Sequence, residues 1–489
     1  MTDPEYGPEQ IAERLPRGLV IASNRGPVSF QRTEEGIVAR RGAGGLVTAL
    51  THVMGAAGGL WTAAAITPGD REVALASGGP IELALDGASL SVHYLPFEHT
   101  VYDRYYNHIS NGVFWFVQHG MWNLPLEPEF DRTTAAAWDA YRLVNRRFAE
   151  ALAGRAGPPV VLHDYHLMLT APHLRRLVPD VFIYHFTHIP WAQPDYFRVL
   201  PAEFASETLE GMLSADLLGF QTARWARNFL WCCHELVGAD VDFATGTVRH
   251  RDRTTRVHHY PISVDVEPLR QLVESDEAAG HVAWLERILE GRKLVLRIDR
   301  LELSKNVVRG LRAFELLVTE HPEWRERVTH VALLYPSRES MAAYRAYEAE
   351  VTDAAERINA KLGTDGWQPV VVYNEDDYPR ALAALTRYDV LLVNPIADGM
   401  NLVSKEGPAV NRNNGVLVLS RNAGSWYELG AAALSVNPYD VAETADALFR
   451  ALTMDAAERQ GRAGLLRTIV EANNSWKWLG HQLDDINAS

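Results

Sequence analysis

A chain of 489 residues exceeds one ordinary hydrophobic core and fits two large α/β domains. Its net charge of −15 argues against a nucleic-acid partner, whose phosphates demand a basic surface, so any phosphate site has to be built locally. The adjacent Cys232 and Cys233 offer neither a disulfide framework nor zinc spacing, Met1 to Pro16 lacks the apolar run of a signal peptide, and no later stretch is apolar for long enough to span a bilayer; a cytoplasmic protein without membrane contact is expected.

In chain order, short apolar runs end in polar or glycine-rich residues and give way to helical patterns, the sequence form of parallel strands with loops at their carboxyl ends. Leu19-Val20-Ile21-Ala22 leads into Ser23-Asn24-Arg25, Val160-Val161-Leu162 into His163-Asp164, Phe182-Ile183-Tyr184 towards His188, and Asp216-Leu217-Leu218 into Gly219-Phe220-Gln221. The pattern restarts after about Asp265: Leu294-Val295-Leu296 leads to Arg300, Val331 to Leu334 to Pro336-Ser337-Arg338, Val390 to Val393 to Asp398, and Val416 to Leu419 to Asn422-Ala423-Gly424. This predicts one doubly wound domain over residues 1–265 and a second over 266–469. The remaining tail, about 470–489, carries Trp476 and Trp478, which mark a docked final helix. Ligands bind outside the carboxyl ends of strands in open parallel sheets, so two such domains facing each other would surround one crevice with both loop sets.

Several segments carry candidate chemistry. Arg300-Leu301-Glu302-Leu303-Ser304-Lys305-Asn306 sets two cations after a strand and before a helix, where the helix amino end also favours anions; this is a candidate diphosphate site. Its bland alternative is a pair of solvated surface cations. Asp398-Gly399-Met400-Asn401-Leu402-Val403-Ser404-Lys405-Glu406 follows an apolar strand and offers backbone N–H groups with a carboxylate at each end, or simply an Asp398 N-cap with Glu406 in the first turns. Arg41-Gly42-Ala43-Gly44-Gly45-Leu46 is a glycine-rich loop that matches neither a dinucleotide fingerprint nor a Walker A loop. His163 and His166 lack zinc spacing and read as structural histidines, and Asp240-Val241-Asp242 reads as part of a polar loop without supporting metal ligands. Most aromatics of Tyr105-Tyr106-Asn107 and Val113-Phe114-Trp115 read as core.

Taken together, Ser23-Asn24-Arg25, Ala43-Gly44-Gly45-Leu46, Tyr105-Tyr106-Asn107, His163-Asp164-Tyr165-His166-Leu167, His188-Ile189-Pro190, Asp216 to Thr222, Arg300-Leu301, Ser304-Lys305 and Asp398 to Val403 resemble the trehalose-6-phosphate synthase family in order and spacing, from about Leu19 to the end. The resemblance implies a GT-B fold, with two Rossmann-like domains facing an interdomain cleft and a C-terminal helix returning to the first. It implies retaining glucosyl transfer from a nucleoside-diphosphate glucose to glucose 6-phosphate, with no metal and no cofactor. Arg300 and Lys305 would hold the donor diphosphate, Glu406 the ribose, and His188 and Asp398 the donor glucose, joined by backbone groups of Gly44, Gly45 and Met400, Asn401 and Leu402. Arg25, Tyr106, Trp115 and Arg338 would surround the acceptor phosphate, with Asp164 on an acceptor hydroxyl. The expected partners are these small molecules, with a homo-oligomer open.

Where many relatives read Arg-Leu-Asp-Tyr-Ser-Lys-Gly, this chain has Glu302, Leu303 and Asn306, and Ser263 replaces a glycine after Pro261-Ile262. The Lys305-Asn306 pair resembles an actinobacterial branch that includes GDP-sugar users and validoxylamine-phosphate synthases, which places GDP-glucose ahead of UDP-glucose. Two alternatives stand beside the synthase: a pseudoglycosyltransferase coupling a nucleotide-linked cyclitol to an amino-cyclitol phosphate, and a non-catalytic sugar-phosphate sensor on the same fold.

Overall fold

The computed structural model describes residues 6–34, 36–41, 54, 58–85, 88–155 and 157–488. It divides into two compact units: one runs to Pro261 and takes back the chain from Trp476, the other runs from Ile262 to Ser475. The apolar runs become strands whose side chains are buried on both faces, as expected where helices cover a parallel sheet on each side.

In the N-terminal unit the strands are β1 (Val20–Ser23), β2 (Val28–Thr33), β3 (Gly36–Arg41), β4 (Leu60–Ala64), β5 (Ile81–Leu85), β6 (Ala88–Leu95), β7 (Val160–His163), β8 (Ile183–Thr187), β9 (Leu217–Phe220), β10 (Asp240–Asp242), β11 (Thr247–His250) and β12 (Arg253–His259). All but the β2–β3 hairpin form one sheet in the order β10-β11-β12-β9-β8-β7-β1-β4-β6-β5. Its interior from β12 to β6 is parallel, and its edges are antiparallel hairpins. Asp240-Val241-Asp242, expected in a loop, is the edge strand β10; Asp242 Oδ1 accepts from the N–H groups of Ala244 and Thr245 and so shapes the turn into β11. Short polar edge strands lack the apolar run that announces a central one.

The C-terminal unit has six strands: β13 (Lys293–Arg300), β14 (Val328–Tyr335), β15 (Val370–Asn374), β16 (Val390–Val393), β17 (Val416–Ser420) and β18 (Leu434–Val436). They are all parallel in the order β15-β14-β13-β16-β17-β18, the doubly wound order in which the chain turns back at the first strand. The crevice outside the carboxyl ends of β13 and β16 is this unit's switch point. In the other sheet the same reversal falls between β1 and β7, whose register pairs Ala22 with Leu162 and so brings Ser23 and His163 to one level.

The chain's last helix, Ser475–Asn487, packs on the N-terminal unit. Tyr184 donates to Gln482 Oε1 at 2.8 Å, Tyr260 donates to Asp485 at 2.7 Å, and Trp478 meets Phe186 edge to face. Tyr6 lies against Gly480 so closely that a Cβ there would sit 2.0 Å from its ring. Gly480→Ala should therefore lower stability by about 1–3 kcal/mol through overpacking. Thermal unfolding of Gly480→Ala and of the Gly480→Ala/Tyr6→Ala double variant checks this: the second substitution should recover much of the lost melting temperature, and equal melting of wild type and Gly480→Ala would refute the contact.

Candidate functional site

The C-terminal switch point collects charge. Arg300 ends β13 and Lys305 lies in the 3-10 turn Leu303–Lys305 that follows. Asp398 follows the adjacent β16, and its carboxylate meets Lys305 Nζ at 2.5 Å, while Asp299 Oδ1 stands 3.9 Å from the same ammonium. Burial disfavours the charged lysine, but Asp398 and then Asp299 outweigh it, so the Lys305 pKa is raised and the side chain stays charged. Burial pushes the Asp299 carboxyl up to about 6 against the opposing pull of Arg297 and Lys305.

Glu302 is fully buried, and its Oε1 is shared by Arg300 at 2.8 Å, Arg338 at 3.4 Å and the Ser337 hydroxyl at 2.9 Å. Burial opposes its ionisation, yet Arg300, Arg338, Lys305 and that hydrogen bond together lower its pKa to about 2. Reading the sequence for binding groups missed Glu302, because its role is to hold other side chains; the signal was the acidic residue standing between two predicted cations. Arg338, set in the left-handed region at φ +47°, thus lies beside Arg300 in the C-terminal unit, while the other acceptor candidates lie in the N-terminal unit.

Asn306 adopts φ +61°, a conformation that favours glycine but that asparagine tolerates. Its amide donates to the carbonyls of Asn394 and Pro438 at 3.0 and 2.7 Å, and its oxygen accepts from Arg309 at 2.9 Å. The side chain's amide and oxygen are thus both engaged within the protein.

Asp398 does not cap a helix. The helix Val403–Val410 is preceded by Asn401, at φ +76°, whose Oδ1 accepts from Ser404 N at 3.2 Å and whose Nδ2 donates to Asp398 Oδ2 at 3.1 Å. The strand-end segment Asn422–Ser425 clamps the loop: Asp398 N donates to Asn422 O, Gly424 N to Asp398 O and Ser425 N to Met400 O. Among the described residues no acceptor meets the N–H groups of Met400, Asn401 or Leu402. Glu406, in the first turn of the helix, contacts Tyr378 OH at 3.4 Å, and burial raises its pKa to about 7 with that hydrogen bond opposing.

The N-terminal switch point collects rings and hydroxyls. Asn24, buried after β1, accepts from Tyr102 and Tyr105, and Arg25 Nη2 lies 3.5 Å from Tyr106 OH. Tyr106 sits on a π-helix, Arg104–Phe114, and stacks between Tyr102 and His166 at interplanar angles of 12° and 14°. Such wide turns recur at functional sites and have no short sequence signature. Trp115 begins the next helix, buried and stacked on His119.

Three successive strand ends converge on His188. Its Nε2 lies 3.1 Å from His163 Nδ1 at the end of β7, its Nδ1 lies 3.2 Å from Gln221 Nε2 after β9, and its backbone N–H donates to Asp164 Oδ1 at 3.1 Å. Asp164 itself has φ +71°. Burial, with His185 adding, pushes the His188 imidazole down to about 3, so it is neutral near pH 7 and serves as a hydrogen-bonding group, not as a cation. His163, expected to be structural, meets the His188 ring on one side; Gln221, quoted in sequence only as part of a strand-end motif, meets it on the other.

Gly44 and Gly45 lie outside the described residues, as does the rest of their glycine-rich loop. Among the described residues no group of three or more His, Cys, Asp or Glu side chains is placed to hold a metal ion, and no helix is long and apolar enough to cross a membrane. Cys232 and Cys233 are buried free thiols.

Comparison with known proteins identifies the family and the fold. Residues 17–488 match the model of glycosyltransferase family 20. The chain is 33% identical to the bifunctional trehalose-6-phosphate synthase/phosphatase of Thermoproteus tenax over 94% of its own length, but it spans only 62% of that relative. Among solved structures, that of trehalose-6-phosphate from E. coli bound with UDP-2-fluoro glucose superposes with a TM-score of 0.84 at 31% identity, covering 96% of this chain and 99% of that one. An α,α-trehalose-phosphate synthase (UDP-forming) from Burkholderia xenovorans in complex with glucose-6-phosphate gives 0.82 at 30% identity, covering 96% and 99%. The two doubly wound α/β units are those of the GT-B architecture, and the chain belongs to glycosyltransferase family 20.

Proposed function

We propose that the protein is a retaining glucosyltransferase that makes α,α-trehalose 6-phosphate from a nucleoside-diphosphate glucose and glucose 6-phosphate. The observation that carries this reading is the pairing at one switch point of Lys305 with Asp398, flanked by Arg300 and by backbone N–H groups that meet no acceptor among the described residues. Fixed cations and amide dipoles stabilise negative charge as it develops on a departing diphosphate, and they do so without reorganising. The UDP-sugar and glucose-6-phosphate complexes of the two similar structures support the same pair of substrate classes.

In this reading Arg300 and Lys305 hold the donor diphosphate, Glu406 the ribose, and Asp398, with backbone groups of Met400 to Leu402, the glucose. Gly44 and Gly45 add donor contacts. His188, neutral, orients a sugar hydroxyl. Arg25, Tyr106, Trp115 and Arg338 receive the acceptor phosphate, and Asp164 an acceptor hydroxyl. The sugar passes through an oxocarbenium-like state while a phosphate oxygen of the leaving group takes the acceptor hydroxyl's proton, so bond breaking and bond making share one face and no protein nucleophile is used. The purine or pyrimidine choice falls to residues other than Asn306.

Turnover with GDP-glucose and UDP-glucose in parallel, each with glucose 6-phosphate and excess chelator, tests the assignment. Disaccharide phosphate with retained configuration and stoichiometric nucleotide release are expected, and the ratio of the two rates names the base. Nucleotide binding without any product would overturn the synthase in favour of cyclitol coupling or sensing.

Two further outcomes follow from the charges. With a pKa raised to about 7, Glu406 is protonated below neutrality and loses its strength as a hydroxyl acceptor, so the donor KM should rise as pH falls through about 7. Glu406→Gln should flatten that limb; an unchanged limb would refute the role. Glu302→Gln removes the buried counter-charge of Arg300 and Arg338 and should cost about 3–5 kcal/mol of stability. Because the folded pKa is depressed to about 2, this stability is present above about 4.3, the ordinary glutamate value, and is lost as pH falls towards 2. Urea unfolding at pH 7 and pH 3 should show the gap between wild type and variant narrowing at the lower pH.

A further inference from the structure

Arg297 occupies the middle of β13, between Leu296 and Ile298, and is fully buried. Alternation along the strand points it to the same face as Val295 and Asp299, against the helix Val307–Glu320. An apolar residue there would cost far less to desolvate. Instead a guanidinium is accommodated, and Gly310 makes the room: a Cβ on that helix position would stand 3.0 Å from Arg297 Nη2. Arg297 Nε and Nη2 have no hydrogen-bond partner among the described residues. Neighbouring His330 is also buried with both ring nitrogens unpartnered, and its imidazole is pushed down to about 3, by burial first and then by Arg297. So expensive a group is retained where its remaining nitrogen has a specific task.

That nitrogen, Nη1, donates to the carbonyl of Lys305 at 2.9 Å and to Asp299 Oδ2 at 3.1 Å. The other oxygen of Asp299 faces Lys305 Nζ at 3.9 Å, and the ammonium closes on Asp398. Arg297, the Lys305 main chain, the Lys305 ammonium and Asp299 form a closed ring of contacts. We propose that Arg297 is a positioning residue for the donor site: from inside the sheet it fixes the turn that carries Lys305 and thereby aims the ammonium at the donor diphosphate. The proposal rests on the glucosyltransferase reading only for the identity of that diphosphate; the aim of Lys305 is a property of the protein alone.

Arg297→Met strands Asp299 in the interior and risks unfolding, so the decisive variant is Arg297→Met/Asp299→Asn, which removes both buried charges together. Its melting temperature should lie close to that of wild type. Calorimetric titration with UDP and with GDP should show at least tenfold weaker binding, and kcat should fall about tenfold to a hundredfold while the KM for glucose 6-phosphate stays within about twofold. Arg297→Lys, which restores a buried donor of different reach, should recover part of the loss. The resonance of 13C-methylated Lys305, identified by its disappearance in Lys305→Arg, should shift between wild type and the double variant with no substrate present. A stable double variant with wild-type nucleotide binding and an unmoved Lys305 resonance would overturn the proposal, leaving Arg297 as no more than the partner of a buried carboxylate. Were wild type to show no turnover, the glucosyltransferase reading would fall, while the Lys305 resonance would still decide the role of Arg297.

Discussion

The contact between Lys305 and Asp398 joins loops 93 residues apart in sequence. It exists because β13 and β16 are neighbours at the point where the strand order reverses. Helices that leave the two strands pass to opposite faces of the sheet, which leaves a crevice outside their carboxyl ends among the described residues. Into that space the chain sends one cation and one carboxylate. Each is partly desolvated and each is needed by the other: without Asp398 the buried ammonium would be driven towards neutrality, and without Lys305 the carboxylate would face Asp299 unopposed. A buried ion pair of this kind is poor evidence for stability, because desolvation consumes most of its Coulombic gain; what it secures is geometry.

The other charges divide into two tiers. Arg300 and Arg338 are held by Glu302, whose depressed pKa keeps it anionic throughout the physiological range, so both guanidinium groups are positioned before any ligand arrives. Below them Arg297 ties the Lys305 main chain to the strand. The N-terminal unit solves the opposite problem with neutral groups. His188 is fixed on both ring nitrogens and kept uncharged, and Tyr106 is clamped between two rings, which restricts the side chains that would meet a sugar hydroxyl or a phosphate without adding net charge.

The central strands could be read from sequence because a parallel strand covered on both faces must be apolar throughout: Val160 to Leu162, Val390 to Val393 and Val416 to Leu419 have no other use. The polar residues that end such runs, Arg25, Asp164, His188, Arg300 and Asp398, were visible for the same reason. What escaped was whatever depends on a long-range partner. Glu302 and Gln221 matter through the side chains they orient: the one stands between two cations and the other ends an apolar run, but neither position reveals which distant side chain it holds. The π-helix around Tyr106 is tied by Tyr102 and Tyr105 to Asn24 at the carboxyl end of β1, 78 and 81 residues away in sequence, and β10 is too short and polar to announce itself.

The departures of this chain from its relatives' motif make sense as one compensated change. Glutamate at 302 has one methylene more than the aspartate common at that position, and its single oxygen serves Arg300, Arg338 and Ser337. Leucine at 303 packs on the apolar core of the C-terminal unit. Asparagine at 306 keeps the left-handed conformation that glycine would supply, and adds two hydrogen bonds that pin the start of the helix Val307–Glu320 to the segments after β16 and β18, with a third from Arg309 in the helix's own first turn. Together these contacts hold the turn that carries Lys305.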